Sequence, residues 1–141
     1  MLDDLGLMVA LEWHFRRYTQ QTGIAVEFQH NPINGRLHAS IETALYRIVQ
    51  EALTNVARYA GVKTVIVRLW VDHERAGVQV KDQGAGFNPA VKLAARASTG
   101  VAGMKERAEL LGGEFTLESQ PGRGTRLTVE LPLAQHMEMP A

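Results

Sequence analysis

The 141-residue chain is long enough for one folded domain, and its composition excludes several classes of protein. Hydrophobic residues make up 45% and charged residues 21%, which is typical of a globular protein. Lysine plus arginine and aspartate plus glutamate both number 15, so the formal net charge is zero. That balance argues against a dominant nucleic-acid or anionic-membrane footprint. The absence of cysteine excludes disulfides, thiol nucleophiles and cysteine-based metal sites.

Two features bear on cellular location. The longest apolar run, residues 65–71, contains Arg68 and is too short to cross a bilayer. The N-terminal segment is acidic, whereas a secretory signal begins with basic residues. We therefore expect a cytoplasmic domain that contacts neither membrane nor nucleic acid.

Hydrophobic periodicity divides the chain into three helical and five strand segments. In chain order it predicts a helix over 3–21, a strand over 24–30, a helix over 37–59, strands over 64–71 and 76–82, a helix over 101–111, and strands over 114–119 and 125–131. Residues 88–99 are expected to form a mobile loop and 134–141 a frayed tail. Hairpins link most strands, which predicts an α+β fold: a two-layer sandwich with helices on one face of a mixed, mostly antiparallel sheet.

The first predicted helix has two interpretations. It is either an amphipathic helix packed on its own domain or the end of a longer helix or linker from an upstream domain.

The most informative segment is residues 82–87, Asp-Gln-Gly-Ala-Gly-Phe. It ends an alternating strand pattern, so the carboxylate of Asp82 is fixed at a strand end beside a backbone bend. Gly84 and Gly86 permit positive φ and let a ligand approach the backbone closely. The pattern also occurs in ordinary turns, so its weight comes from two other segments, one on each side of it.

The first of these segments carries Glu51 and Asn55, which are one helical turn apart and share a helix face. Their oxygens could hold Mg²⁺, which prefers few protein ligands and fills its octahedron with water and phosphate. The alternative is a pair of solvated polar residues opposite the apolar stripe.

The second segment contains Gly100 and Gly103, which are predicted to precede and open the helix over 101–111. Free backbone N–H groups at a helix start form an anion site, although a glycine-rich helix entry without function is the alternative. The spacing matches neither a P-loop nor a Rossmann fingerprint. Together the three segments offer a cation ligand, an acceptor carboxylate and a phosphate cradle, as a magnesium–nucleotide site requires.

At this point the chain resembles the catalytic ATP-binding domain of sensor histidine kinases, in the superfamily shared with gyrase, MutL-type repair proteins and heat-shock chaperone ATPases. Residues 51–60 resemble the N box, residues 82–87 the G1 box, and residues 99–108 the G2 box. Residues 122–125, Gly-Arg-Gly-Thr, resemble the closing segment. The resemblance covers about residues 24–133 and implies the Bergerat ATP-binding fold, with ATP and Mg²⁺ as cofactors.

A finer resemblance is to the subfamily that pairs with response regulators of the NarL/LuxR type. It is carried by Gly-x-x-Gly-Met-x-Glu-Arg at 100–107, Leu-Gly-Gly at 111–113 and Leu-Asp-Asp-Leu-Gly-Leu at 2–7. It implies that residues 1–22 are a helix or linker from an upstream dimerisation domain, that residues 23–133 are the catalytic domain, and that residues 134–141 are a tail. The implied partners are the dimerisation domain of the same parent kinase and such a response regulator. The parent is either cytoplasmic or anchored to the inner membrane.

The resemblance also implies roles for individual residues. Asn55 would ligate the Mg²⁺ that bridges the phosphates, and Glu51 would act at the reacting phosphoryl group as a base or through water. Asp82 would accept a hydrogen bond from the adenine amino group, supported by Thr125 through a water. The implied catalytic residues are thus Glu51 and Asn55. The implied nucleotide-binding residues are Asn55, Arg58, Tyr59, Asp82, Gly84, Gly86, Phe87, Gly100, Val101, Ala102, Gly103, Met104 and Thr125.

Two of these assignments have open alternatives. Arg58 would contact phosphate unless it is simply a solvated helix end. Tyr59 would pack beside the base unless it packs in the core.

A histidine kinase also needs a phosphate-accepting histidine next to an acidic residue on a dimerisation helix. His73 precedes Glu74 but lies in a predicted hairpin loop, and Phe15 after His14 does not fit. We therefore expect the acceptor on a separate domain upstream, and a chain that binds ATP without efficient autophosphorylation. Two other functions remain open: a regulatory module in which nucleotide occupancy gates partner contact, and a serine kinase of the anti-sigma type.

Overall fold

The structure, a computed structural model, describes residues 2–33, 35–86 and 97–133. Its elements are α1 (Leu2–Thr22), β1 (Ala25–His30), α2 (Ala39–Asn55) continued by a π-helical turn (Val56–Ala60), β2 (Thr64–Val71), β3 (Arg75–Asp82), α3 (Ala97–Leu110), β4 (Glu114–Gln120) and β5 (Gly124–Pro132). Of the loop expected over 88–99, residues 97–99 are helical instead and residues 88–96 lie outside the described residues, as does the expected tail over 134–141. All eight predicted segments are found as helices or strands.

The five strands form one sheet in the order β1-β2-β3-β5-β4. The β1–β2 pair is parallel, and the other three pairs are antiparallel. The predicted mixed, mostly antiparallel sheet is therefore confirmed. In the β3–β5 pair Asp82 lies opposite Thr125, so the register brings two of the predicted site residues together.

One face of this sheet packs against the helices, because buried, mostly apolar side chains alternate along its strands with less buried ones. Helix α2 supplies the apolar stripe of the opposite layer, and its N-terminus is capped by His38, whose Nδ1 accepts the N–H of Ser40 at 3.1 Å. The fully buried large side chains of the core are Leu11, Ile41, Leu45, Ile48, Leu53, Leu69, Leu131, Val49, Val65, Val67, Val78 and Val129. The predicted two-layer α+β architecture is confirmed.

Helix α1 packs on this core. Leu11 and Phe15 are buried, and the Phe15 ring meets the Phe28 ring of β1 edge-on with centroids 5.0 Å apart. The helix is not continuous: Gly6 adopts φ 87° and ψ 173°, outside the helical region. Arg36 packs against this break and pairs with the buried carboxylate of Glu42 at 2.7 Å.

Two helix ends differ from the prediction. Helix α3 begins at Ala97, four residues before the predicted start, so the expectation that Gly100 and Gly103 open this helix is wrong. At the end of α2 the last turn widens into a π-helix. There the Val56 N–H reaches the carbonyls of both Ala52 and Leu53.

The loop after β3 is held against this π-helical turn, and Gly84 makes the close approach possible. The Ala85 N–H donates to the Ala60 carbonyl at 3.0 Å. A Cβ on Gly84 would overlap the same carbonyl oxygen. The side of Gly84 where a side chain would be therefore faces the backbone of Ala60.

We expect Gly84→Ala to lower the free energy of unfolding by about 1–3 kcal/mol, because backbone atoms that cannot rotate aside would have to move. Gly103→Ala is the matched control, since a Cβ there meets no atom within 4 Å. It should raise stability by up to about 1 kcal/mol, because alanine favours a helix interior over glycine. Chemical denaturation of the ligand-free variants measures both. A Gly84→Ala protein as stable as the wild type would contradict the packing argument.

Candidate functional site

A cavity lies between α2, α3 and the sheet, at the end where β3 stops. Asn55, Asp82 and Thr125 are the polar side chains that interrupt its mainly apolar lining. Small-molecule sites typically combine such apolar walls with a few placed polar groups. The apolar part of the lining comprises Ala52, Val56, Ala60, Val80, Val101, Met104, Leu117 and Leu127.

Asp82 is the buried charge of this cavity, with 6% of its surface exposed. Its Oδ1 accepts the Gly84 N–H at 2.8 Å, and the Thr125 N–H donates to it as well. Burial raises the pKa of Asp82 above the usual aspartate value, while the two backbone donors oppose the rise. A carboxylate has about four acceptor positions, so Asp82 can still accept a hydrogen bond from a bound ligand.

The chemistry of this cavity fits a purine base with an amino group. Apolar walls suit the faces of a flat ring, and the Asp82 carboxylate could accept a hydrogen bond from an N–H at the edge of that ring. Adenine presents an amino donor at C6, where guanine presents a carbonyl oxygen. The cavity is therefore suited to adenine, with Thr125 beside Asp82 and its Oγ1 2.8 Å from the Ser119 hydroxyl.

Asn55 and Glu51 occupy different positions relative to this cavity. Asn55 is in its lining, whereas Glu51, one turn earlier on α2, lies in an adjoining groove that Met104 also borders. We call this the outer groove; its lining is Arg47, Gln50, Glu51, Thr54, Arg58, Gly100, Gly103, Met104 and Arg107. The Glu51 carboxylate lies against the backbone of Gly100.

The oxygens of Asn55 and Glu51 fit a hard cation such as Mg²⁺. Within residues 2–33, 35–86 and 97–133, no three acidic or histidine side chains gather as a ready-made metal cage. A Mg²⁺ ion at Asn55 would therefore take most of its coordination from phosphate oxygens and water. Such an ion would neutralise the negative charge of the phosphates.

The G2-like segment divides between the cavity and the outer groove. Val101 and Met104 are buried and line the cavity. Gly100 and Gly103 line the outer groove, and Ala102 is exposed and belongs to neither lining. Because α3 already includes Ala97, the N–H groups of its first described turn, residues 97–99, lie ahead of the two glycines.

The other predicted residues take three different positions. Arg58 is exposed on the outer groove rather than in the cavity. Tyr59 lines the cavity with 41% of its surface exposed, so the alternative of core packing is wrong. Gly86 also lines the cavity, with φ 63°, but a Cβ there would overlap the Gln120 carbonyl oxygen. Phe87 lies outside the described residues.

Several contributors to the site were not identified from the sequence. Leu117 and Leu127 form part of the apolar wall from β4 and β5. The strand pattern alone does not place these leucines, since it is the sheet register that brings them to the cavity beside Asp82. Tyr18 lies behind the site, where its hydroxyl donates to the Leu53 carbonyl at 2.8 Å. It therefore supports the turn of α2 that precedes Asn55.

Burial, with a smaller contribution from the charge of Asp82, raises the pKa of Tyr18 to about 12. The unfolded chain releases this proton near the ordinary value of 10.0. The stability that the protonated phenol contributes is therefore fully present below pH 10 and lost as pH rises towards 12. Tyr18→Phe should cost about 1 kcal/mol at neutral pH and lose less stability over that alkaline range.

Urea denaturation between pH 7 and 12 measures this effect. Tyr46→Phe is the matched control, because the Tyr46 hydroxyl makes no hydrogen bond to the part of the chain that the structure describes. It should keep the alkaline profile of the wild type. An identical alkaline profile in Tyr18→Phe would contradict the assigned hydrogen bond.

The sheet, the helical layer and the cavity between them have the form of an ATP-binding domain. The chain belongs to the family described as "Histidine kinase-, DNA gyrase B-, and HSP90-like ATPase", which matches residues 40–135. A solved structure, the histidine kinase domain of a blue-light activated histidine kinase from Erythrobacter litoralis EL346, has the same fold. Its TM-score is 0.73 at 22% identity, and the match covers 92% of this chain and 62% of that one.

Two curated relatives match across 132 residues, 94% of this chain. The histidine-protein kinase/phosphatase DegS of Brevibacillus brevis is 36% identical, and the oxygen sensor histidine kinase NreB of Staphylococcus carnosus (strain TM300) is 39% identical. The match covers 34% and 38% of those proteins, so this chain corresponds to a little over a third of their length. Among its described helices, none combines the length and apolar character needed to cross a membrane.

Proposed function

We propose that this chain is the catalytic domain of a sensor histidine kinase, which binds Mg–ATP and donates the γ-phosphoryl group to a histidine on a separate dimerisation domain. The observation that carries the proposal is the buried carboxylate of Asp82 in an otherwise apolar cavity. That cavity leads past Asn55 to the groove that contains Glu51. Family membership and two relatives named as histidine kinases support it.

The residue roles follow the order of these groups along the site. Asp82, with Thr125 beside it, accepts a hydrogen bond from the adenine amino group. The adenine ring packs against the apolar walls of the cavity. Asn55 ligates the Mg²⁺ that bridges the phosphates, which supplies charge neutralisation. Glu51, at the outer end, orients or deprotonates the attacking group, directly or through water. Phosphoryl transfer depends mainly on such positioning and electrostatic stabilisation.

Two further contacts with the nucleotide belong to the proposal. Arg58 contacts phosphate from the edge of the outer groove, and Tyr59 packs beside the base. The segment from Gly100 to Met104 covers the phosphates, with Val101 and Met104 closing the apolar wall.

The proposed partners are an upstream dimerisation domain of the same parent kinase and a response regulator of the NarL/LuxR type. Residues 1–22 connect to that domain, and the catalytic unit spans residues 23–133. Packing of α1 on the core means that the connecting helix is held rigidly against α2, which carries Glu51 and Asn55.

Calorimetric titration with a non-hydrolysable ATP analogue, with and without Mg²⁺, tests the nucleotide half of the proposal. We expect saturable, Mg-dependent binding and no comparable binding of the GTP analogue. Failure to bind would contradict the assigned site. Incubation with ATP and a purified histidine domain then tests the transfer: an acid-labile phosphoprotein supports a histidine kinase, an acid-stable one a serine kinase. ATP binding without any product supports a nucleotide-gated regulatory module.

A further inference from the structure

The outer groove is strongly basic. Arg47 and Arg58 enter it from α2 and its π-helical turn, and Arg107 enters it from α3. Among the described residues of its lining, Glu51 is the only acidic one. Three arginines and one glutamate thus line the groove that adjoins the cavity.

The three arginines differ from other arginines of the protein in having no acidic partner among the described residues. Within the described ranges, none of them makes an ion pair or hydrogen bond. Arginines on the open face of the sheet differ, since Arg75 pairs with Glu130 and Arg126 with Glu118. Positive charge that converges from two helices on one groove, with no partner among the described residues, is suited to an anionic ligand.

Two of the three arginines lie on the outer side of the groove, beyond the residues that border the cavity. Arg47, Glu51 and Asn55 follow one another along a single face of α2, one turn apart. Eight residues of α-helix place Arg47 about 12 Å beyond Asn55 along the helix axis. On α3, Arg107 lies one turn past Met104, the residue shared by the cavity and the groove. Arg58, close to Asn55 in the chain, remains near enough for phosphate.

We propose that Arg47 and Arg107 form a docking surface for an acidic segment beside the phosphate-accepting histidine, which they hold next to Glu51. The inference rests on the proposed kinase function and names a recognition feature of its protein substrate. The docking segment of the partner carries an aspartate or glutamate on each side of its histidine. Guanidinium groups suit this task because they bind carboxylates in bidentate geometry.

The test uses two fluorescent peptides of about 15 residues, long enough to span the groove as a helix, with the chain saturated by a non-hydrolysable ATP analogue and Mg²⁺. One peptide carries a histidine flanked by aspartate and glutamate, and the other has asparagine and glutamine in their place. Fluorescence anisotropy should show tighter binding of the acidic peptide, weakened by added salt. Arg47→Gln and Arg107→Gln should each weaken it about two- to fivefold, as expected for a partly exposed ion pair.

Arg16→Gln is the matched control, because it removes one positive charge from the exposed side of α1, outside the groove lining. It should leave peptide binding unchanged, and all three variants should bind the ATP analogue like the wild type. Equal binding of the two peptides would overturn the proposal, as would an equal loss in Arg16→Gln. A loss of nucleotide affinity in Arg47→Gln would overturn it too, by assigning this arginine to the phosphates. Failure of the wild type to bind the ATP analogue would instead refute the proposed function.

Discussion

Asn55→Ala is expected to abolish the Mg²⁺ dependence of ATP binding while leaving the fold intact. The side chain lines the cavity without being part of the core, so its loss creates no buried void. Its amide oxygen is the proposed protein ligand of the ion, and alanine offers no oxygen. Calorimetry with and without Mg²⁺ should give similar affinities in the variant, at least about tenfold weaker than the wild type with Mg²⁺.

Asn31→Ala is the control for destabilisation at a distance. Asn31 exchanges two hydrogen bonds with the backbone of Val71, at 2.8 and 3.1 Å, so its loss should lower stability. Nucleotide affinity should not change, because this contact is in neither the cavity nor the outer groove. Circular dichroism checks that Asn55→Ala is folded. If the folded variant still binds ATP in a Mg²⁺-dependent manner, Asn55 is not a ligand of the metal ion.

The sheet was predictable because its pattern is local. Along residues 77–81, Val78 and Val80 alternate with small or polar residues, and the structure places β3 over Arg75–Asp82. The chemistry-bearing groups of α2 were equally visible, since Glu51 and Asn55 follow from a spacing of one turn. Short-range periodicity thus carried the fold class, whereas the three segments of the site received their roles through the family resemblance.

The start of α3 was not predictable from local pattern. Gly100 disfavours a helix interior, so the sequence suggested that the helix begins after it. In the structure Gly100 lies inside the helix, with the Glu51 carboxylate packed where a side chain would be. The glycine therefore has a packing role that depends on a residue far away in the chain, which no local rule reveals.

The contacts that complete the site are likewise long-range. Tyr18 and Leu53 are 35 residues apart, and their hydrogen bond exists only because α1 folds across α2. Leu117 and Leu127 reach the cavity through strand register. Arg47 and Arg107 converge only when α2 and α3 pack together. Each depends on tertiary structure rather than on sequence spacing.

Asp82→Asn is expected to weaken ATP binding by about tenfold to a hundredfold and to remove the preference for adenine, because a hydrogen bond to a charged group contributes about 1.5–3 kcal/mol. Both oxygens of the aspartate can accept hydrogen bonds, whereas asparagine has one acceptor and one donor group. Its single oxygen is required by the Gly84 and Thr125 N–H groups. The NH₂ group would then face the adenine amino group, donor against donor.

Asp82→Asn should not lower the free energy of unfolding, although it lowers the affinity for ATP. Because the pKa of Asp82 is raised in the folded protein, the folded state holds this proton more tightly than the unfolded chain. The stabilisation from Asp82 is therefore greatest at low pH and is lost as pH rises through the raised value. An uncharged asparagine at this position avoids that loss, so Asp82→Asn should be at least as stable as the wild type at neutral pH.

Measuring ATP affinity as a function of pH separates the role of Asp82 in recognition from its effect on stability. Wild-type affinity should fall as pH drops through the raised pKa of Asp82, above the range in which an ordinary aspartate titrates. Asp82→Asn should show only the titration of the nucleotide itself. Asp4→Asn, an identical change at an exposed position, should behave like the wild type. Asp82→Asn that is destabilised but binds ATP normally would make Asp82 a structural residue. Loss of affinity together with retained stability means that the protein keeps a destabilising buried charge because ATP recognition requires it.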